Sequence, residues 1–89
     1  MAWEIEFKPS ARKIFDKLDR SIQKNILKFL NTKIAPLENP RIFGKPLQYE
    51  QYDLWRYRVE DYRIICQIDD GAIKIVVVKL GHRKEVYDD

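Results

Sequence analysis

An α+β fold, a two-helix hairpin packed on a small, mostly antiparallel sheet in the order β-α-α-β-β-β, is what this chain predicts. Three observations carry the prediction. An alternating segment opens the chain, two apolar stripes at helical spacing follow, and three segments rich in β-formers with turn signals between them close it.

Trp3-Glu-Ile-Glu-Phe7 alternates apolar and charged residues, the pattern of a half-buried strand. Pro9 and Ser10 offer a helix start, with Ser10 as the expected N-cap. Ala11, Ile14, Phe15 and Leu18 then recur at i, i+3, i+4 and i+7, so they form the expected buried stripe. Asp19-Arg20-Ser21 breaks and recaps the chain. A second helix presents Ile22, Ile26, Phe29, Leu30 and Ile34 inward until Pro36 stops it. Between Pro36 and Gln51 the chain holds three of its four prolines and Gly44, so this is a loop with room for one short strand. Strands are expected over Tyr52 to Val59, Tyr62 to Ile68 and Ile73 to Leu80, with Asp69-Asp70-Gly71 turning between the last two. The unbroken run Ile75-Val-Val-Val78 predicts a central strand covered on both faces.

The chain has 89 residues, which suits a single domain over residues 1–89. No apolar run approaches the roughly 20 residues of a membrane helix, and Met1-Ala-Trp-Glu-Ile lacks the blocks of a secretory signal. One cysteine forms no internal disulfide, and a cytoplasmic location is expected. The single histidine and cysteine do not make an ordinary zinc site, so neither metal nor cofactor is expected. Ser10 and Ser21, both at helix starts, argue against a serine triad, and Gly44-Lys45 lacks the upstream glycine spacing of a phosphate-binding loop. Cys66 falls on the core side of its strand and reads as packing.

The charge balance is modest, 17 Lys and Arg against 14 Asp and Glu, and its placement says more than its size. Side chains alternate across a strand, so Leu54, Arg56 and Arg58 share one face while Trp55, Tyr57 and Val59 meet the helices. With Glu60-Asp61 at the hairpin tip, Val59 opposes Tyr62 and Arg58 opposes Arg63. Like charges directly opposed on a sheet are destabilising. Either the face is solvated, with Asp53, Glu60 or Asp61 as counter-charges, or the three guanidinium groups serve to grip an anion. Their planar forks suit phosphate. Farther on, Gly81 ends the aliphatic strand and His82, Arg83, Lys84 and Tyr87 follow. Tyr87 has a stacking face and a hydroxyl, and histidine is the residue type that ordinarily titrates near neutrality.

Asn39-Pro-Arg41, Gly44-Lys-Pro-Leu47, Leu54-Trp-Arg-Tyr-Arg58, Asp61-Tyr-Arg-Ile64 and Gly81-His-Arg-Lys-Glu-Val-Tyr87 occur in the order seen in the RelE/ParE toxin superfamily. The resemblance spans the chain, and the closing segment resembles the RelE branch. It implies the RelE-like fold and a toxin of a type II toxin–antitoxin system. That toxin would be a ribosome-dependent endoribonuclease cleaving mRNA in the A site, held silent by a RelB-like antitoxin in a toxin–antitoxin hetero-oligomer. By position, Arg63, Arg83 and Tyr87 match functional residues of the family, and Arg56 stands where RelE-type members can carry a lysine. Leu54 occupies a second such lysine position, and His82 stands where RelE has lysine. The resemblance further implies transesterification: the 2′-hydroxyl attacks the adjacent phosphate and expels the 5′-oxygen. Arg63 and Arg83 would stabilise the added charge, while Arg58, Lys45 and Lys84 would hold RNA phosphates. Arginine stays protonated, which leaves His82, Tyr87, Lys45 or Lys84 for proton transfer, with His82 and Tyr87 the pair expected. The alternative within the superfamily is a ParE-like inhibitor of DNA gyrase that is not a nuclease.

Overall fold

A computed structural model describes residues 2–47 and 53–82. Strand β1 (Glu4–Phe7) leads into α1 (Pro9–Asp16) and α2 (Arg20–Phe29), which continues as a π-helical turn over Leu30–Ile34. Strands β2 (Lys45–Pro46), β3 (Leu54–Val59), β4 (Tyr62–Asp69) and β5 (Lys74–His82) complete the order. They form one sheet in the order β1-β5-β4-β3-β2, antiparallel except for the β1–β5 pair. The expected α+β class and element order are met, and β2 is the short strand for which the proline-rich loop has room.

Both helices pack on one face of the sheet. Ala11 and Phe15 of α1, Ile26 of α2, then Leu30 and Ile34 meet Tyr57, Val59, Ile64, Cys66, Ile75, Val77 and Leu80 in one core. Ile26, Leu30 and Ile34 recur every four residues and are fully buried, each burial contributing about 1.5–3 kcal/mol. Trp3, Ile5 and Phe7 seal the β1 edge, with the Phe7 and Phe15 rings 4.9 Å apart. No described helix is long and apolar enough to cross a membrane.

Several sequence expectations are corrected. The cap of α1 is Lys8, not Ser10, because Pro9 begins the helix. Proline's fixed φ suits the first helical position, where its missing N–H costs nothing. Ile14 is 43% exposed, since α1 packs chiefly against β5 and buries only Ala11 and Phe15 fully. The run Ile75–Val78 has one covered face: Ile75 and Val77 are buried, whereas Val76 and Val78 are partly exposed because no helix layer covers the opposite side. The β4–β5 pairing also contains a bulge, with Ile65 opposite Lys79 but Cys66 opposite Val77. Val78 is the extra residue, and the alternation of β5 reverses there.

Candidate functional site

The helix-free face of the sheet carries the cations. The β3–β4 hairpin has the expected register: Val59 opposes Tyr62, Arg58 opposes Arg63, and Arg56 opposes Ile65. A two-residue tip makes this register possible, and Glu60 takes a left-handed φ of 54° to close it. The Glu60 carboxylate accepts a 2.7 Å hydrogen bond from Asn25 Nδ2, which ties the tip to α2. On the other side of β3, Lys45 opposes Arg56 and so joins the same face.

Arg56, Arg58 and Arg63 therefore stand together. Burial, then repulsion from Arg63 and Arg58, pushes the Arg56 guanidinium below its ordinary pKa. Ile65 is buried on this face, between Arg56 and Lys79 in the strand register. The Nε of Arg63 is also buried, which confines the path of that side chain. Two of the three carboxylates that a solvated face would use are engaged elsewhere. Asp53 pairs with Arg41 and accepts from Trp55, while Glu60 holds Asn25. Among the described residues no carboxylate pairs with Arg58.

The loop before β2 brings a further residue to this face. A cleft of about 230 Å³ is lined by Phe43, Lys45, Arg56 and Arg58. Phe43 was not singled out from the sequence; its signal was an apolar residue in a proline- and glycine-rich loop, which ordinarily reads as cover for the core. Here it is 57% exposed. The loop is anchored on either side of it. Arg41 binds Asp53 and, at 2.7 Å, Asp70, and lies over the Trp55 ring at 5.9 Å. These carboxylates raise the Arg41 pKa, and the Arg41 hydrogen bond in turn holds Asp53 below the usual carboxylate value. The buried Tyr57 hydroxyl donates to the Pro40 carbonyl, and Gly44 packs so close to the Tyr57 ring that a Cβ there would meet it at 3.0 Å. Burial pushes the Tyr57 phenol well above its ordinary pKa, so it serves as a neutral donor.

Leu54, on the same face, lines a separate recess of about 470 Å³ with Lys8, Gln67 and Val78. A lysine expected from the family pattern is thus replaced by an apolar wall. The structure does not bring His82 to the arginine face. His82 opposes Tyr62 on the helix side of the sheet, their rings 5.7 Å apart edge to face, whereas Arg63 opposes Gly81. The bulge at Val78 is the physical reason, because it reverses which side positions 80 and 82 take. Arg83, Lys84 and Tyr87 lie outside the described residues.

Comparison with known proteins gives this face a context. The model of the family described as the ParE toxin of the type II toxin–antitoxin system parDE matches residues 5–87. Toxin RelG of Mycobacterium tuberculosis is 28% identical over 87 residues, covering 98% of each chain. Among solved structures, the toxin–antitoxin complex RelBE2 of Mycobacterium tuberculosis superposes with a TM-score of 0.81 at 26% identity, covering 93% of both chains. The intact RelBE complex of Escherichia coli shares the fold, with a TM-score of 0.76 at 24% identity over 91% of this chain and 96% of that one. With its family match spanning nearly the whole length and its RelE-like fold, this chain belongs to the RelE/ParE superfamily of type II toxin–antitoxin toxins.

Proposed function

We propose that this toxin is a ribosome-dependent endoribonuclease of the RelE type, cleaving mRNA in the A site. The observation that carries the reading is the directly opposed Arg58–Arg63 pair, with Arg56 and Lys45 on the same face and two nearby carboxylates committed elsewhere. A sheet that accepts this repulsion gains from it when a polyanion binds. Likeness to RelG supports the RelE branch.

In the proposed reaction the mRNA 2′-oxygen attacks the adjacent phosphorus as its proton leaves to a base. The bond to the 5′-oxygen breaks as that oxygen takes a proton. The products are a 2′,3′-cyclic phosphate and a 5′-hydroxyl. Arg63 and Arg83 stabilise the charge that develops on the non-bridging oxygens, and Arg56 and Arg58 hold the flanking backbone. Proton transfer falls to Tyr87, Lys84 or Lys45, because His82 faces the helices. The ribosome supplies the alignment that a small open face does not, as positioning alone can account for many orders of magnitude in rate. A RelB-like antitoxin silences the toxin by covering or distorting the cationic face in a hetero-oligomer. This is supported by the neighbouring folds, which were solved as toxin–antitoxin complexes. The site of action is cytoplasmic, where mRNA is translated.

Primer extension on an mRNA in a reconstituted translation system tests the reading with wild type, Arg63→Ala and Arg83→Ala. Ribosome-dependent cuts at A-site codons are expected, reduced about 100- to 1,000-fold in each variant. The match to the ParE toxin family favours one second reading, inhibition of DNA gyrase without cleavage. Absence of cuts together with blocked gyrase supercoiling would establish that reading instead.

A further inference from the structure

Among the described residues, Phe43 and its neighbour Ile42 are the most exposed of the large apolar side chains, at 57% and 64%. A singly exposed apolar side chain is ordinary, and it becomes informative only where it is fixed beside groups that bind a ligand. Phe43 is held. Pro40 is fixed by Tyr57, Arg41 by Asp53 and Asp70, and Gly44 by its close approach to the Tyr57 ring, with the Gly44 N–H donating to the Arg41 carbonyl at 3.0 Å. The ring borders a cleft whose other walls, among the described residues, include Lys45, Arg56 and Arg58.

One π face beside three cations is the pattern of a nucleotide site: the base stacks and the phosphates pair. We propose that Phe43 is the stacking wall of a nucleotide subsite for single-stranded RNA, with Lys45, Arg56 and Arg58 gripping the phosphates on either side of the stacked base. The inference rests on the RNA-directed reading of this face and adds to it a base-contacting residue outside the proposed cleavage set.

The test is fluorescence anisotropy with a labelled short single-stranded RNA and a matched series carrying one abasic position each. The proteins are wild type, Phe43→Ala, Phe43→Leu and Phe43→Trp. Phe43→Ala is expected to weaken binding about 5- to 100-fold, Phe43→Leu to resemble it, and Phe43→Trp to bind as wild type does. One abasic position should weaken wild type by a similar factor and leave Phe43→Ala nearly unaffected, the signature of a shared contact. Phe43→Ala binding within about twofold of wild type would overturn the proposal. So would full rescue by Phe43→Leu, equal sensitivity of Phe43→Ala to the abasic site, or no RNA binding by wild type. Loss of affinity for the cognate antitoxin with RNA binding intact would assign the ring to the antitoxin and overturn it too. If wild type shows the stacking signature yet makes no ribosome-dependent cuts, the cleavage reading fails and the subsite stands.

Discussion

Replacing Arg58 with threonine should stabilise the fold while weakening RNA binding, a pairing that an incidental surface charge does not produce. Arg58 is exposed, directly opposes Arg63, and lies two residues from Arg56 on the same face. Two unit charges about 6 Å apart in water-like surroundings repel by roughly 0.7 kcal/mol. A screening length of about 10 Å in 0.1 M salt reduces this by roughly half. With two such neighbours, both of which have other contacts as well, removal of Arg58 relieves at most about 0.5–1 kcal/mol, within the range of cross-strand pair energies. Threonine keeps the β-propensity of the site. For a domain of this size the gain raises Tm by about 2–6 °C. In 1 M salt, where the screening length is about 3 Å, the gain should nearly vanish. Lys13→Gln, on the exposed side of α1, removes the same charge from a helix that packs against β5 rather than β3 and should leave Tm close to wild type. In parallel, the salt dependence of RNA binding should lose about 0.7 in log–log slope for one phosphate contact. A lower Tm for Arg58→Thr in low salt, or an increase that survives 1 M salt, would refute the argument that these arginines oppose one another at the expense of the fold.

Two further predictions concern the scaffold under the cleft. Gly44→Ala places a Cβ 3.0 and 3.1 Å from the Tyr57 ring and 3.3 Å from the Arg56 carbonyl oxygen. Tyr57 is fully buried and has nowhere to move, so a loss of about 1–3 kcal/mol is expected, read as a fall in Tm of about 5–15 °C. Asp53→Asn tests the Arg41 clamp through pH. Because the folded carboxyl lies below its ordinary value, its contribution is present above about pH 4 and is lost as pH falls through the lower folded value. Wild type should therefore have the higher Tm at neutral pH, with the gap to the variant closing in acid; a gap constant with pH would exclude the clamp as its source.

The parts of this structure legible in the sequence are those set by local rules. Alternation assigned faces in β3, and a two-residue tip between Val59 and Tyr62 fixed the register, so the Arg58–Arg63 opposition followed without any tertiary information. What depended on packing was not legible. Ile14 matches a helical stripe as well as Phe15 does, but only the docking of α1 decides which is covered. Phe43 has the composition of a core residue, and its exposure follows from anchors at Pro40, Arg41 and Gly44 that are distant in sequence from their partners. The clamp joins Arg41 to Asp53 and Asp70 across loops, with no spacing to announce it.

Of these hidden features, the bulge at Val78 most changes which side chains the candidate site contains. In an unbroken strand, the residues sharing Val76's side would be Val78, Leu80 and His82, and the imidazole would join Arg63. The extra residue instead sends Leu80 to the core opposite Ile64 and His82 to the helix side opposite Tyr62. His82 then contributes as an aromatic partner at the end of β5, a contact worth about 0.5–1.5 kcal/mol beyond its area. His82→Gln is accordingly expected to lower Tm by several degrees while ribosome-dependent cleavage stays within about threefold of wild type. A loss of cleavage of about 100-fold with Tm unchanged would mean that the imidazole reaches the RNA after all. That outcome would require the end of β5 to turn over on the ribosome, because the pairing with Tyr62 holds the ring on the opposite side of the sheet from Arg63.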